Sequence, residues 1–286
     1  MRLISYQSPT GSRPAALRED GAVDLNRADP TLPACMKRLL ALGPEGLQRA
    51  RQAMAKGQPM PLEGLQLVPP VPFPDKVICI GLNYADHAKE TGQPLPSEPV
   101  VFCKFPTTVR AQGDPIVIPK ASAQVDYEAE LVVVLGQGGR HIPEAEARRH
   151  VAAYCCGNDV SARDWQIGKT GGQWLLGKSF DSFAPFGPAL VTADEVPDPG
   201  NLKIQLRLNG QTMQDSSTAQ LIFSVDKLIA YLSTVCTLAP GDLIFTGTPP
   251  GVGMARKPPV FLKPGDVTEV EIAGLGVLRN ALLAEE

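Results

Sequence analysis

Residues 127–135, Tyr127-Glu128-Ala129-Glu130-Leu131-Val132-Val133-Val134-Leu135, constrain the fold more than any other stretch of the chain. Leu131–Leu135 is an unbroken apolar run, which predicts a buried strand. Successive side chains of a strand alternate faces, so Glu128 and Glu130 project the same way. Two like charges at the mouth of a buried strand repel each other and resist desolvation. A cation between them removes both penalties. Asp159, in Cys156-Gly157-Asn158-Asp159-Val160-Ser161, supplies a third carboxylate. With no His or Cys pair nearby, this donor set suits a hard, oxygen-seeking divalent ion: Mg²⁺, Mn²⁺ or Ca²⁺. The alternative is a half-exposed edge strand whose glutamates meet solvent or arginine. Asp126 shares the face of Glu128, as a fourth acid of the cluster or an outer one.

The rest of the chain predicts an α+β fold in which strands dominate. Its 286 residues include 27 glycines and 28 prolines, which favours many strands joined by turns over a helical bundle. Residues 1–66 read as a small N-terminal α/β unit. Arg2–Gln7 alternates like a strand, and Thr31–Gln52 carries helical spacing. Residues 67–74 are a proline-dense connector, and 75–286 form the larger unit. Within it, Ile142–Tyr154 reads as a helix. Ser161-Ala162-Arg163-Asp164 resembles a capping box opening a helix through Gln166. Asn209-Gly210 predicts a tight hairpin.

Three further features carry chemistry. Asn83 fits the cap of a short helix, Tyr84–Thr91, that ends before Gly92. His87 and Glu90 lie on one face of it, where the carboxylate raises imidazole basicity and fixes its tautomer, as a general base needs. A casual surface contact is the other reading. Lys178 sits among apolar residues, where a lone ammonium must be paired, by the acids or by a substrate carboxylate, or must reach water. Thr246-Gly247-Thr248-Pro249-Pro250-Gly251-Val252-Gly253 offers uncovered N–H groups and hydroxyls for an anion, though it lacks the lysine and spacing of a nucleotide loop.

Several classes are excluded or disfavoured. A net charge of −3 and the lack of a basic stripe argue against nucleic acid and anionic membranes. No apolar run reaches the length of a membrane span. Met1–Tyr6 runs directly into a strand pattern, which predicts no leader and a cytoplasmic chain with reduced cysteines.

The ordered set His87-x-x-Glu90, Glu128-x-Glu130, Asp159 with Gln166, Gly177-Lys178-Ser179-Phe180-Asp181 and the Thr246–Gly253 loop resembles the fumarylacetoacetate hydrolase superfamily. The likeness covers about residues 67–283. Asp24-Leu25-Asn26, Asp29–Pro33 and Arg256–Lys263 resemble its oxaloacetate tautomerase branch. The resemblance implies a mixed β-roll catalytic fold, a homodimer, and Mg²⁺ or Mn²⁺ on Glu128, Glu130 and Asp159. It implies a His87–Glu90 catalytic pair on a lid that orders with substrate, with Lys178 beside the reacting group. It implies substrate-side roles for Gln166, Lys178 and the Thr246, Gly247 and Thr248 loop. Arg163 is a further candidate for the substrate carboxylate. The expected substrates are small 2-oxo acids reacting through a metal-stabilised enolate. C–C hydrolysis of an acylpyruvate stands slightly ahead of oxaloacetate tautomerisation or decarboxylation. A non-catalytic dimer that binds metal or a 2-oxo acid is the reading from another class.

Overall fold

The strand Ala129–Leu135 is buried at every position. It pairs antiparallel with Val151–Asn158 on one side, Ala129 opposite Asn158, and with Leu243–Phe245 on the other, Val132 opposite Phe245. A strand covered on both faces and both edges can carry apolar residues throughout. The edge-strand alternative for this segment therefore fails. In this computed structural model, which describes residues 1–286, the alternation sorts its side chains cleanly. Leu131, Val133 and Leu135 face one core, shared with Ile204, Leu206, Val270 and Ile272 of a second sheet. Val132 and Val134 face another, shared with Leu25, Met36, Leu39 and Leu40 of the N-terminal helices.

The central sheet has 12 strands and the second sheet five, and neither closes into a barrel. The fold is α+β and sheet-dominated. Strands Arg2–Ser8, Gly11–Arg18 and Gly21–Asp24 extend the central sheet, because Arg2–Ser8 pairs antiparallel with Ala184–Thr192. From the proline-dense stretch, Leu67–Val68 pairs with the same first strand, and Ser5 Oγ donates to the Pro70 carbonyl at 2.7 Å. No helix is long and apolar enough to cross a membrane.

Two expected helices differ. The segment Thr31–Gln52 forms two helices, Met36–Leu40 and Gly43–Lys56, because Gly43, at φ 62°, breaks the first and Pro44 opens the second. The expected helix Ile142–Tyr154 exists only as Glu144–Ala147 plus one 3₁₀ turn. From Val151 the chain is a strand between two neighbours, so tertiary pairing overrode the alanine-rich helical pattern. The hairpin at Asn209-Gly210 forms, with both residues at positive φ, 51° and 81°.

Candidate metal centre

Pairing within the central sheet gathers the site. Glu128 and Glu130 enter the strand that begins at Ala129, and Asp159 follows the antiparallel strand ending at Asn158. Thr246 and Gly247 follow Leu243–Phe245, which pairs with Ala129–Leu135. Asn83 and the helix Ala85–Thr91 follow Val77–Gly81, which lies parallel to Leu243–Phe245. Asn158 Oδ1 accepts from the Glu128 N–H at 3.0 Å, and the Asp159 N–H donates to the Glu128 carbonyl, which locks the two acid-bearing segments together.

One carboxylate oxygen from each of Glu128, Glu130 and Asp159 lies within 4.8 Å of the others, all three residues buried. Lys178 Nζ donates to Glu128 Oε2 at 2.7 Å and to Asp159 Oδ2 at 2.8 Å. Burial opposes its charge, but Asp159 and Glu128 outweigh burial and raise its pKa, so it stays an ammonium. Of the partners foreseen for Lys178, the acid cluster is the one it has. Arg163 reaches Glu128 Oε1 with Nη2 at 2.7 Å and Asp126 Oδ2 with Nε at 2.9 Å. A second buried lysine, Lys104, ion-pairs with Asp159 Oδ1 and donates to the Val160 carbonyl at 2.9 Å. Burial dominates there and lowers the Lys104 pKa. Although Lys104 lies close, Asp159 Oδ1 receives no well-aligned hydrogen bond.

The residues fit a divalent ion. Burial, then Asp159 and Glu128, push the Glu130 carboxyl well above the ordinary carboxylate range. A buried acid repelled by two others is the arrangement that a hard cation stabilises. All the donors are oxygen, as Mg²⁺ and Mn²⁺ accept. Asp126 stands outside this group. Its oxygens accept from the N–H groups of Tyr127, Gly253 and Met254 as well as from Arg163, so it braces the site without joining it.

The glycine-rich loop does hold anionic groups, but they are the protein's own. The Gly247 N–H donates to Glu130 Oε2 at 2.8 Å and the Gly251 N–H to Glu90 at 3.0 Å. Thr246 is fully buried, and its hydroxyl donates to the Leu131 carbonyl at 2.9 Å. The Thr248 hydroxyl accepts from Gln214 Nε2 at 2.8 Å and keeps its own proton to donate. The Arg163 guanidinium is turned to Asp126, Glu128 and Gln166 Oε1. That last contact leaves Gln166 with its amide N–H₂ as a donor.

His87 Nδ1 lies 3.0 Å from Glu90 Oε2. Their helix is formed and anchored: Glu90 accepts from Gly251, and Asp86 accepts from Ser216 Oγ at 2.5 Å. Its N-cap is Tyr84, not Asn83. Asn83 is instead buried and ties the loop, donating to the carbonyls of Phe223 and Thr246 and accepting from the Phe223 N–H. The expected capping box is likewise absent. Ser161 Oγ donates to the Asp159 carbonyl, and Asp164 accepts from Ser122 and Ala123.

Sequence reasoning passed over Lys104, Asn158 and Gln214. Lys104 ends a run of five uncharged residues, Pro99–Cys103, and a cation closing such a strand is the signal that marks it. Asn158 acts through the Glu128 N–H, and Gln214 through the Ala129 N–H, the Pro249 carbonyl and the Thr248 hydroxyl, contacts between distant segments that leave no local pattern.

Residues 76–283 match the family model described as fumarylacetoacetate (FAA) hydrolase, C-terminal. Over 288 residues the chain is 48% identical to the mitochondrial oxaloacetate tautomerase FAHD2A of Bos taurus, covering 99% of this chain and 92% of that protein. It is 44% identical to the fumarylacetoacetate hydrolase domain-containing protein 2 homolog of Dictyostelium discoideum, covering 98% and 96%. Among solved structures it is similar to a fumarylacetoacetate hydrolase from Exiguobacterium antarcticum, with TM-score 0.86 and 34% identity over the whole of both chains. It is also similar to the maleylpyruvate hydrolase of Sphingobium sp. SYK-6 in complex with manganese(II) and pyruvate, with TM-score 0.83 and 29% identity over the whole of both chains.

Proposed function

Because the chain belongs to the fumarylacetoacetate hydrolase family, we propose that it is a divalent-metal-dependent enzyme of small 2-oxo acids whose reaction is the keto–enol interconversion of oxaloacetate. The observation that carries this reading is the buried Glu128, Glu130 and Asp159 cluster with the Lys178 ammonium donating to two of its members. The choice of oxaloacetate is supported by the relatives named oxaloacetate tautomerase.

Glu128, Glu130 and Asp159 would hold the ion, Mg²⁺ or Mn²⁺, which when bound polarises the 2-oxo group as a Lewis acid. Lys178 adds a fixed positive charge next to the oxygen that becomes negative. An ionised Glu90 only accepts hydrogen bonds, so His87 Nδ1 carries the proton and Nε2 presents a lone pair. In this reading Nε2 takes a proton from substrate C3 and later returns it. The Thr248 hydroxyl and the Gln166 amide hold the substrate carboxylate.

C–C hydrolysis of an acylpyruvate is the second reading, and decarboxylation of oxaloacetate stands behind it. The clamped His87–Glu90 pair favours hydrolysis, since the same nitrogen can deprotonate water. Six unpaired cysteines fit a reducing compartment as the site of action.

The test follows enol-oxaloacetate by its absorbance with Mg²⁺, then with EDTA, then with Mg²⁺ restored, and runs an acylpyruvate in parallel. The expected result is fast loss of enol that EDTA abolishes and Mg²⁺ restores. Turnover of the acylpyruvate alone would select the second reading. Binding of oxalate and Mg²⁺ without turnover of either substrate would select the non-catalytic class.

A further inference from the structure

The turn that carries Gly251 is braced by groups that the proposed reaction leaves unused. The Gly251 N–H donates to both oxygens of Glu90, at 3.0 and 3.2 Å, and its carbonyl accepts from the Tyr127 hydroxyl at 3.1 Å. Gly251 sits at φ 103°, and a Cβ there would lie 2.1 Å from the Met213 carbonyl oxygen, so the turn lies directly on that carbonyl. The same Met213 oxygen accepts from Arg256 Nη2. A 3₁₀ turn, Gly253–Ala255, brings Arg256 back to this point, and Asp126 holds the Gly253 and Met254 N–H groups at its start. Arg256 is partly buried, no carboxylate lies within salt-bridge distance of it, and its Nε is buried without a partner. Burial is the main cause that pushes the Tyr127 phenol up to about 12, so its hydroxyl keeps the proton it gives to Gly251. Arg256 pulls the phenol the other way, while Asp126 and Glu90 add to the rise, so the guanidinium and the Glu90 carboxylate both lie near it.

We propose that Arg256 is a positioning residue for the His87–Glu90 pair: with Tyr127 it braces Gly251, and its unpaired charge draws the Glu90 carboxylate onto that turn, where it meets His87 Nδ1. Arg256 touches no reacting atom. It acts through the Met213 carbonyl, which Gly251 and Arg256 share, and through the Gly251 N–H, which orients Glu90. Glu90 in turn orients the imidazole. A planar guanidinium suits this place, because its donors keep a set geometry while its charge stays on. The role also accounts for the first residue of Arg256–Lys263, a segment that no other part of the site uses. The inference rests on His87–Glu90 being the base of the proposed reaction, but the brace itself can be read without turnover.

Amide hydrogen exchange of the full chain, followed by mass spectrometry, reads the brace, and steady-state rates read its use. Arg256→Gln and Tyr127→Phe should each speed exchange of the helix Ala85–Thr91 about tenfold, with the strand Ala129–Leu135 and the affinity for Mn²⁺ unchanged. Turnover of oxaloacetate should fall about 10- to 100-fold in kcat with KM little altered, the range for a partner that orients a reacting group. Arg256→Lys should recover most of that loss, and Arg256→Gln should cost nothing further in a His87→Ala background. Unchanged exchange at 85–91 overturns the proposal, as does faster exchange spread evenly over the chain. A full additional loss of rate in the His87→Ala background overturns it too, and a loss that Arg256→Lys does not relieve overturns the part assigned to charge. If Arg256→Gln misfolds, Tyr127→Phe, which removes one oxygen, decides by the same exchange readout. A wild type without turnover refutes the proposed function, and exchange at 85–91 then judges the brace alone.

Discussion

The Lys178 ammonium donates to Glu128 Oε2 at 2.7 Å, although 50 positions separate the two residues in the chain. The same nitrogen donates to Asp159 Oδ2, so one cation touches two of the three clustered acids. Its role in turnover is therefore separable from metal binding. Lys178→Met should reduce oxaloacetate turnover on the order of 10²-fold, from lost electrostatic stabilisation. Mn²⁺ binding should be kept or tightened, because the acids lose a competing cation. Steady-state rates and calorimetric titration check both halves. Loss of Mn²⁺ binding in this variant would make Lys178 a structural residue.

His87→Ala should lower turnover by roughly 10²- to 10⁴-fold, the range for loss of a general base. Glu90→Gln should cost less, since an amide keeps the contact to His87 but not the charge. Rates for both variants at saturating substrate and Mg²⁺ measure this, and an undiminished His87→Ala rate removes the pair from the reaction.

Glu130 predicts a pH dependence. Burial first, then Asp159 and Glu128, hold its carboxyl well above the ordinary range, while the Gly247 N–H pulls the other way. In the unfolded chain a glutamate ionises near about pH 4.3. Above that pH the folded, metal-free protein still binds the proton that the unfolded chain has released. Stability from this group is thus full below the unfolded value and is lost as pH rises through the folded one. Mn²⁺ must displace the same proton, so its affinity should climb over that window. Melting temperatures of EDTA-treated protein and Mn²⁺ titrations across the window should show opposite slopes, and Glu130→Gln should flatten both.

Gly247→Ala tests the loop. Gly247 sits at φ 105°, and a Cβ there would lie 2.8 Å from Asn83 Cβ. The strain costs on the order of 1–3 kcal/mol and moves the N–H that holds Glu130. A lower melting temperature together with weaker Mn²⁺ binding is expected. Unchanged Mn²⁺ affinity would show that Gly247 does not position Glu130.

Much of the site was legible because its chemistry is written in short local patterns. The Glu128-x-Glu130 alternation needs only the two-residue period of a strand, and His87 with Glu90 needs only one turn of helix. Lys178 was legible as a cation requiring a partner. What was not legible depended on tertiary pairing. Val151–Tyr154 looks helical in isolation, but two neighbouring strands supply its hydrogen bonds. Thr246 offers a hydroxyl on paper, yet the Leu131 carbonyl sits within reach and takes its proton. Arg163 reads as a free cation until Asp126 and Glu128 are folded against it. Lys104 pairs with Asp159 from a distant strand that the local pattern does not connect to the cluster.

The most direct measurement is an anomalous difference map from crystals grown with Mn²⁺. One strong peak bounded by carboxylate oxygens of Glu128, Glu130 and Asp159 is the predicted result. No peak there, or a peak elsewhere while Glu128 and Asp159 remain bound to Lys104, Arg163 and Lys178, would contradict the account.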